Sequence, residues 1–155
     1  MLHQRNFGSL AVFLVLVIGI GWLIGATNMP GSWYASLAKP SFNPPDWLFP
    51  LAWTILNGLI AVAGWRTSTA SPRGAAMGLW IAQMLLNFAW SPVMFRFHAI
   101  GPALAIIVLM LVMIMGFIRE QWRSDQMAAV LFLPYLAWVA FAGLLNLSLY
   151  QLNRV

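Results

Sequence analysis

Trp80, Gln83, Asn87 and Trp90 follow one another at spacings of three, four and three. That is the period of an α-helix, so two indoles and two amides share one helical face inside an apolar run. A second stripe, Pro134, Trp138, Ala142 and Asn146, repeats every four residues with Tyr135 beside it, and Trp53 and Asn57 stand one turn apart in an earlier run. Indoles offer flat faces for stacking and one N–H donor each, while amides both donate and accept. Gathered around a shared space, they would line an apolar small-molecule cavity with a few polar handles. They would serve equally as glue between helices, with Asn and Gln bonding across an interface in lipid. Periodicity alone leaves both readings open.

Other chemistries lack their residues. The chain has no cysteine, hence no disulfide, thiolate nucleophile or thiolate metal site. His3 and His98 are far apart and no HExxH occurs, so no metal is expected. Asp46, Glu120 and Asp125 fall at the ends of apolar runs, leaving no intramembrane carboxylate pair for acid–base work or proton coupling. GxSxG and phosphate-cradling glycine loops are also missing. The net charge of +5 comes mostly from arginines at helix ends. It reads as a topology signal and contact with lipid headgroups, with no basic–aromatic cluster to suggest nucleic acid.

The elements that must position these residues are set by composition. Of 155 residues, 62% are apolar and 7% charged. A soluble domain needs about a quarter of its residues charged, so the outside of this chain must face lipid. Charge-free gaps close to one crossing of about 20 residues separate Asp46 from Arg66, Arg73 from Arg96 and Arg96 from Arg119, and longer ones run from Arg5 to Lys39 and from Asp125 to Arg154. The runs are unbroken, unlike the short alternating strands of a β-barrel. An all-α membrane bundle of five transmembrane helices is predicted at 7–27, 46–66, 74–95, 100–119 and 126–151, one domain over residues 1–155. The first run is too long for a signal-peptide core and reads as a retained helix. Pro92 and Pro134 lie within spans, where neighbouring helices must satisfy the freed carbonyls. Trp22, Trp47, Trp65 and Trp122, near predicted ends, read as headgroup-level anchors.

Loop charges orient the bundle. Arg5, Arg66, Arg73, Arg119 and Arg123 fall on one side and Lys39, Arg96 and Arg154 on the other, which favours a cytoplasmic N-terminus. The one long connection, NMPGSWYASLAKPSFNPP at 28–45, is rich in proline and aromatics. Fixed torsions and rings that need a surface suggest a lid over the bundle mouth; the alternative is an interfacial aromatic belt. Gly21 and Gly25, and Gly74, Gly78 and Ala82, place small residues at four-residue spacing, which permits close helix approach within the bundle or, through the third helix, in a homodimer.

Four blocks in order, WYASLAKPSFNPPDW, PLAWTILNG, LLNFAWSPVMF and LPYLAWVAFAGLLN, resemble the TspO/translocator-protein family, also called tryptophan-rich sensory proteins and peripheral-type benzodiazepine receptors. The resemblance implies a five-helix bundle, often dimeric, with a pocket beneath the first loop. It further implies binding of porphyrins such as protoporphyrin IX, sterols in some lineages, and isoquinoline or benzodiazepine ligands. Carried over by motif, Tyr34 and Pro44 would help close the pocket, and Trp53, Asn87, Trp90, Trp138 and Ala142 would line it. Phe42 stands where the loop motif usually has Trp, Asn57 replaces a usual aromatic, and Gly143 a usual Thr. Leu147, Tyr150 and Arg154 fit only the loose cholesterol pattern.

The expectation is therefore a multi-pass receptor or sensor for a porphyrin-like tetrapyrrole, needing no cofactor, with partners among hydrophobic small molecules, membrane lipid, a sterol as in some lineages of the family, and a second copy of itself. Lys39 and Arg96 would meet the propionates. An enzymatic alternative uses Trp53 and Trp138 as electron donors in light-dependent porphyrin degradation; a third reading is a transporter. Long apolar helices suit a plasma or inner membrane better than a bacterial outer one.

Overall fold

The computed structural model describes residues 7–154; Arg5 and His3 lie outside the described residues. Backbone polar groups facing lipid have no water to bond, so helices satisfy them internally. The chain forms α1 (Phe7–Thr27), a short α2 (Gly31–Ser36), α3 (Leu48–Ala70), α4 (Ala75–Ser91), α5 (Ile100–Ser124), α6 (Gln126–Leu131) and α7 (Leu133–Leu152), and no strand is present among the described residues. Four stretches are long and apolar enough to cross a membrane: α1, α3, α5 and the α6–α7 pair. At 17 residues α4 alone reaches about 26 Å. It completes a fifth crossing by running on into a five-residue π-helical turn, Pro92–Arg96. Around the bundle the spans run α1, α3, α6–α7, α5 and α4, with α4 returning to α1.

Both intramembrane prolines leave marks where continuous helix was predicted. Pro92 has no N–H for the carbonyl one turn back, and the ladder widens: Phe97 N–H bonds Pro92 O at 3.0 Å. Pro134 interrupts the last span at Phe132, whose N–H turns back to Ala129 O at 3.1 Å. The helix restarts with Pro134 in its first turn, where a missing donor does no harm. The expected ends at 66 and 119 extend to Ala70 and Ser124, because polar side chains sustain helix beyond the apolar limit. There the Arg66 guanidinium grips Asp125 through two 2.8 Å bonds, tying α3 to the α5–α6 junction. Gln121 donates to Thr67 Oγ1, which donates to Ala63 O, a second tie between α5 and α3.

The core is a column of side chains from α3, α4, α5 and α7, with Ile60, Ile107, Ile114, Phe117, Phe132 and Tyr135 sealed from outside. Trp65 departs from its expected role as an anchor. It is 5% exposed, and its indole donates to Ser9 Oγ at 2.9 Å, joining α3 to α1, whereas Trp22, Trp47 and Trp122 are exposed. Trp80 donates to Ile60 O at 2.9 Å, and its ring lies directly over Gly64, where a Cβ would overlap the indole. That contact sets the α3–α4 distance. Gly58, on the same helix, has open space at its Cβ position. Gly64→Ala should lower stability in detergent by about 1–3 kcal/mol, while Gly58→Ala should leave it unchanged or raise it by under about 1 kcal/mol. Thermal melts of the two variants check the contrast, and equal melting points would refute it.

Candidate functional site

At the lid end of the bundle, Trp53 from α3, Trp90 from α4 and Trp138 and Ala142 from α7 converge on one internal void, together with Phe49 and Met110. The void measures about 20 Å³. That is about the room of one water, against several hundred Å³ for a small-molecule pocket. The rings fill the space themselves. Phe49 meets Trp138 edge-on at 5.9 Å, Trp138 meets Phe141 at 5.8 Å, and Phe42 of the loop meets Phe141 at 6.3 Å. The Trp138 indole N–H is buried and has no hydrogen-bond partner. An unmade bond of this kind costs about 1–3 kcal/mol where water is excluded, so the site carries a fully buried donor without a partner.

Beneath the void lies a polar floor. Tyr135 is fully buried; its hydroxyl donates to Gln83 Oε1 at 2.8 Å and accepts from Asn87 Nδ2 at 3.0 Å. Asn87 therefore stands outside the void and holds Tyr135, whose ring packs edge-on to Trp53 at 6.3 Å. Beside the void, Trp90 Nε1 donates to Asn146 Oδ1 at 3.3 Å, and Asn146 donates to Ile100 O at 3.0 Å. Of the α7 stripe, Trp138, Ala142 and Asn146 turn inward, while Pro134 is exposed at the kink.

The loop is an ordered cap. Lys39 places its ammonium on the carbonyls of Tyr34, Ala35 and Leu37 at 2.7, 3.3 and 3.4 Å, closing the end of α2. It also sits 4.7 Å over the Tyr34 ring, so its donors serve the cap itself. Asn153 after α7 pairs reciprocally with the Ala38 backbone, both bonds 3.0 Å. Trp33 stacks on His98 at 4.1 Å and 13°, gripping the α4–α5 connection, where His98 takes a left-handed φ of 53°. Tyr34 packs edge-on to Phe95, which packs edge-on to Trp90, each at 5.4 Å. Tyr34 thus reaches the void through two rings. Pro44 accepts from Asn43 Nδ2 at 3.2 Å, within the cap and off the void. Arg96 is exposed in the π turn.

Comparison with known proteins settles the lineage. A profile of the TspO/MBR family matches residues 11–152. The chain belongs to the TspO/MBR family. It is 35% identical over 151 residues to Protein CrtK of Rhodobacter capsulatus, covering 94% of each chain. It is 37% identical over 145 residues to a tryptophan-rich sensory protein of Cereibacter sphaeroides, covering 92% of each, and 34% identical over 153 residues to the translocator protein of Bos taurus, covering 94% of this chain and 90% of that one. With its apolar spans, family membership makes this an integral membrane protein. The three departures from the family pattern have distinct surroundings. Phe42 keeps an aromatic at the cap, against Phe141. Asn57 is buried with its amide nitrogen against Gly21, fixing α3 close to α1. A Cβ at Gly143 would lie 3.2 Å from the Ile107 methyl, so a larger residue there requires Ile107 to give way.

Phe49, Ile107, Met110 and Val139 line the void and were not singled out in the sequence. Phe49 lies one turn before Trp53, a legible signal. On α5 the buried residues Ala103, Ile107, Met110, Ile114, Phe117 and Gln121 follow a four–three repeat, masked because the opposite face is equally apolar.

Burial, and less so the charge of Asp46, push the Tyr34 hydroxyl above its usual pKa. The unfolded state then releases this proton first, so its contribution to cap stability is complete below the ordinary tyrosine value near pH 10 and is lost as pH rises through the raised one. The stability difference between wild type and Tyr34→Phe should be flat through neutral pH and shift against wild type above about pH 10; a pH-independent difference would refute this.

Proposed function

We propose that the protein is a membrane receptor or sensor whose tryptophan-walled chamber takes a flat hydrophobic ligand of the porphyrin class, and secondarily isoquinoline- or benzodiazepine-type molecules. The observation that supports this most is the convergence of Trp53, Trp90 and Trp138 from three helices on one enclosed point, with the Trp138 N–H left without an acceptor. Helix glue alone would pair that donor, as it does for Trp65, Trp80 and Trp90. A macrocycle would exchange ring-on-ring contacts inside the protein for ring-on-macrocycle contacts of similar strength, about 0.5–1.5 kcal/mol each beyond burial. It would also offer the unmatched indole an acceptor.

The void is far too small for such a guest, so binding requires the cap to lift and Phe42, Phe49 and Phe141 to retract. The ties that resist are the Asn153–Ala38 pair and the Trp33–His98 stack. Names carried by relatives, sensory protein and translocator protein, fit a cap that opens to a ligand. We assign the N-terminus to the cytoplasmic side and a plasma or inner membrane as location, from the loop arginines. The exposed Gly78 on α4, with open space at its Cβ and Ile81 and Leu85 exposed nearby, offers a second copy a close-packing face.

Protoporphyrin IX added to the detergent-solubilised protein should quench tryptophan fluorescence saturably. Replacing Trp53 and Trp138 together by Phe should weaken binding by at least about tenfold, two lost indole contacts and one lost donor; unchanged affinity would reject the site. Asn153→Ala should speed ligand association several-fold at little change in fold stability, because a capping tie is removed without touching the walls. Stopped-flow quenching reads that rate, and an unaltered one would separate the cap from ligand entry. Illuminating the same complex while following the porphyrin absorption bands tests Trp-dependent degradation, the enzymatic reading.

A further inference from the structure

At the end of the bundle away from the cap, a groove of about 320 Å³ opens between the C-terminal turns of α5 and the first turn of α7. Its lining on α5 follows one helical face: Met115, then Ile118 and Arg119, then Trp122 and Arg123; Leu136 supplies the α7 wall. The face is thus apolar towards mid-membrane and cationic towards the helix end, with an indole at the change-over. The groove lies beside the break at Phe132, where α6 packs against α3 and α5 and the chain restarts with Leu133 and Pro134 turned outward.

Charge distinguishes this groove from an ordinary helix end. Asp125, the acid two residues beyond Arg123, is held by Arg66 in the bidentate pair and cannot neutralise its neighbours. Among the described residues, Arg119 and Arg123 have no anionic partner. Glu120, also on α5, is exposed and lies outside the groove lining. Two guanidiniums one turn apart therefore face the same concavity uncompensated. Such a pair suits the paired oxygens of a phosphate, and guanidinium is weakly hydrated enough to bind it at an apolar edge.

We propose that this groove is a binding site for one anionic phospholipid. The phosphate sits between Arg119 and Arg123, the upper part of an acyl chain lies along Met115, Ile118 and Leu136, and Trp122 packs at the level of the glycerol and ester groups. A zwitterionic lipid would bring its own ammonium against the arginines, and free phosphate would leave the apolar half of the groove without an occupant. The site is separate from the tryptophan chamber and does not depend on what that chamber binds.

The test is native mass spectrometry of the full chain released from detergent, with dioleoylphosphatidylglycerol or dioleoylphosphatidylcholine added. Wild type should retain one phosphatidylglycerol in preference to phosphatidylcholine. The Arg119→Gln/Arg123→Gln protein should lose that preference about tenfold. Arg73→Gln, which removes an exposed arginine of the α3–α4 connection on the same membrane side, should keep it. Retained preference in the double variant overturns the site. Equal loss in Arg73→Gln overturns it in favour of net charge. Thermal stabilisation of wild type by inorganic phosphate equal to that by phosphatidylglycerol overturns the lipid as occupant.

Discussion

A side-chain amide inside a lipid-surrounded bundle has no water to turn to, and an unmet amide there costs about as much as any single helix contact provides. The buried amides of α4, α5 and α7 are arranged by that constraint, while the Oδ1 of buried Asn57 on α3 goes without a partner. Gln83 and Asn87 on α4 both reach the Tyr135 hydroxyl on α7, and Asn146 on α7 bridges the Trp90 indole of α4 and the start of α5. Each bond has one geometry that satisfies it, so rotation of α4 or α7 by one residue would leave several polar groups orphaned at once. Hydrophobic burial supplies no such preference between apolar faces when the outside is also apolar. The polar pairs set helix rotation, and helix rotation aims the tryptophans.

With the rotation settled, the inward-facing aromatic rings fill the bundle interior but for a void of about 20 Å³. Phe49, Trp138, Phe141 and Phe42 form a continuous run of edge and tilted contacts from the chamber to the cap. The ring contacts that close the chamber are of the kind worth about 0.5–1.5 kcal/mol each beyond burial. The buried Trp138 N–H stands among these rings without an acceptor.

The two ends of the bundle are held differently. Away from the cap, an Arg–carboxylate fork and a Gln–Thr relay lock α3 to α5 and α6. At the cap, the ties are a side-chain amide on a backbone, a ring stack and an ammonium on carbonyls. Charged bidentate pairs are the stronger class. The end away from the cap is thus the more firmly tied, and the ties beside the chamber belong to the weaker class.

Composition and charge spacing were enough to specify a helical membrane bundle of about five spans, because a bilayer admits few alternatives to long apolar helices. Residue blocks such as PLAWTILNG and LLNFAWSPVMF carried the family, and the four–three spacing of Trp80, Gln83, Asn87 and Trp90 carried the inward face of α4. Spacing could not say which partner each group on that face would meet. It placed Asn87 beside Trp90 on one stripe, yet Asn87 holds the Tyr135 floor while Trp90 walls the void. It set Trp65 at a helix end, where burial against α1 depends on a serine far away in sequence. It marked Pro92 and Pro134 as irregular without choosing between a widened turn and a broken helix. The size of the chamber was beyond it altogether, since volume is the sum of rotamers from four helices and the cap, and only their packing in three dimensions decides whether the rings enclose a space or fill it.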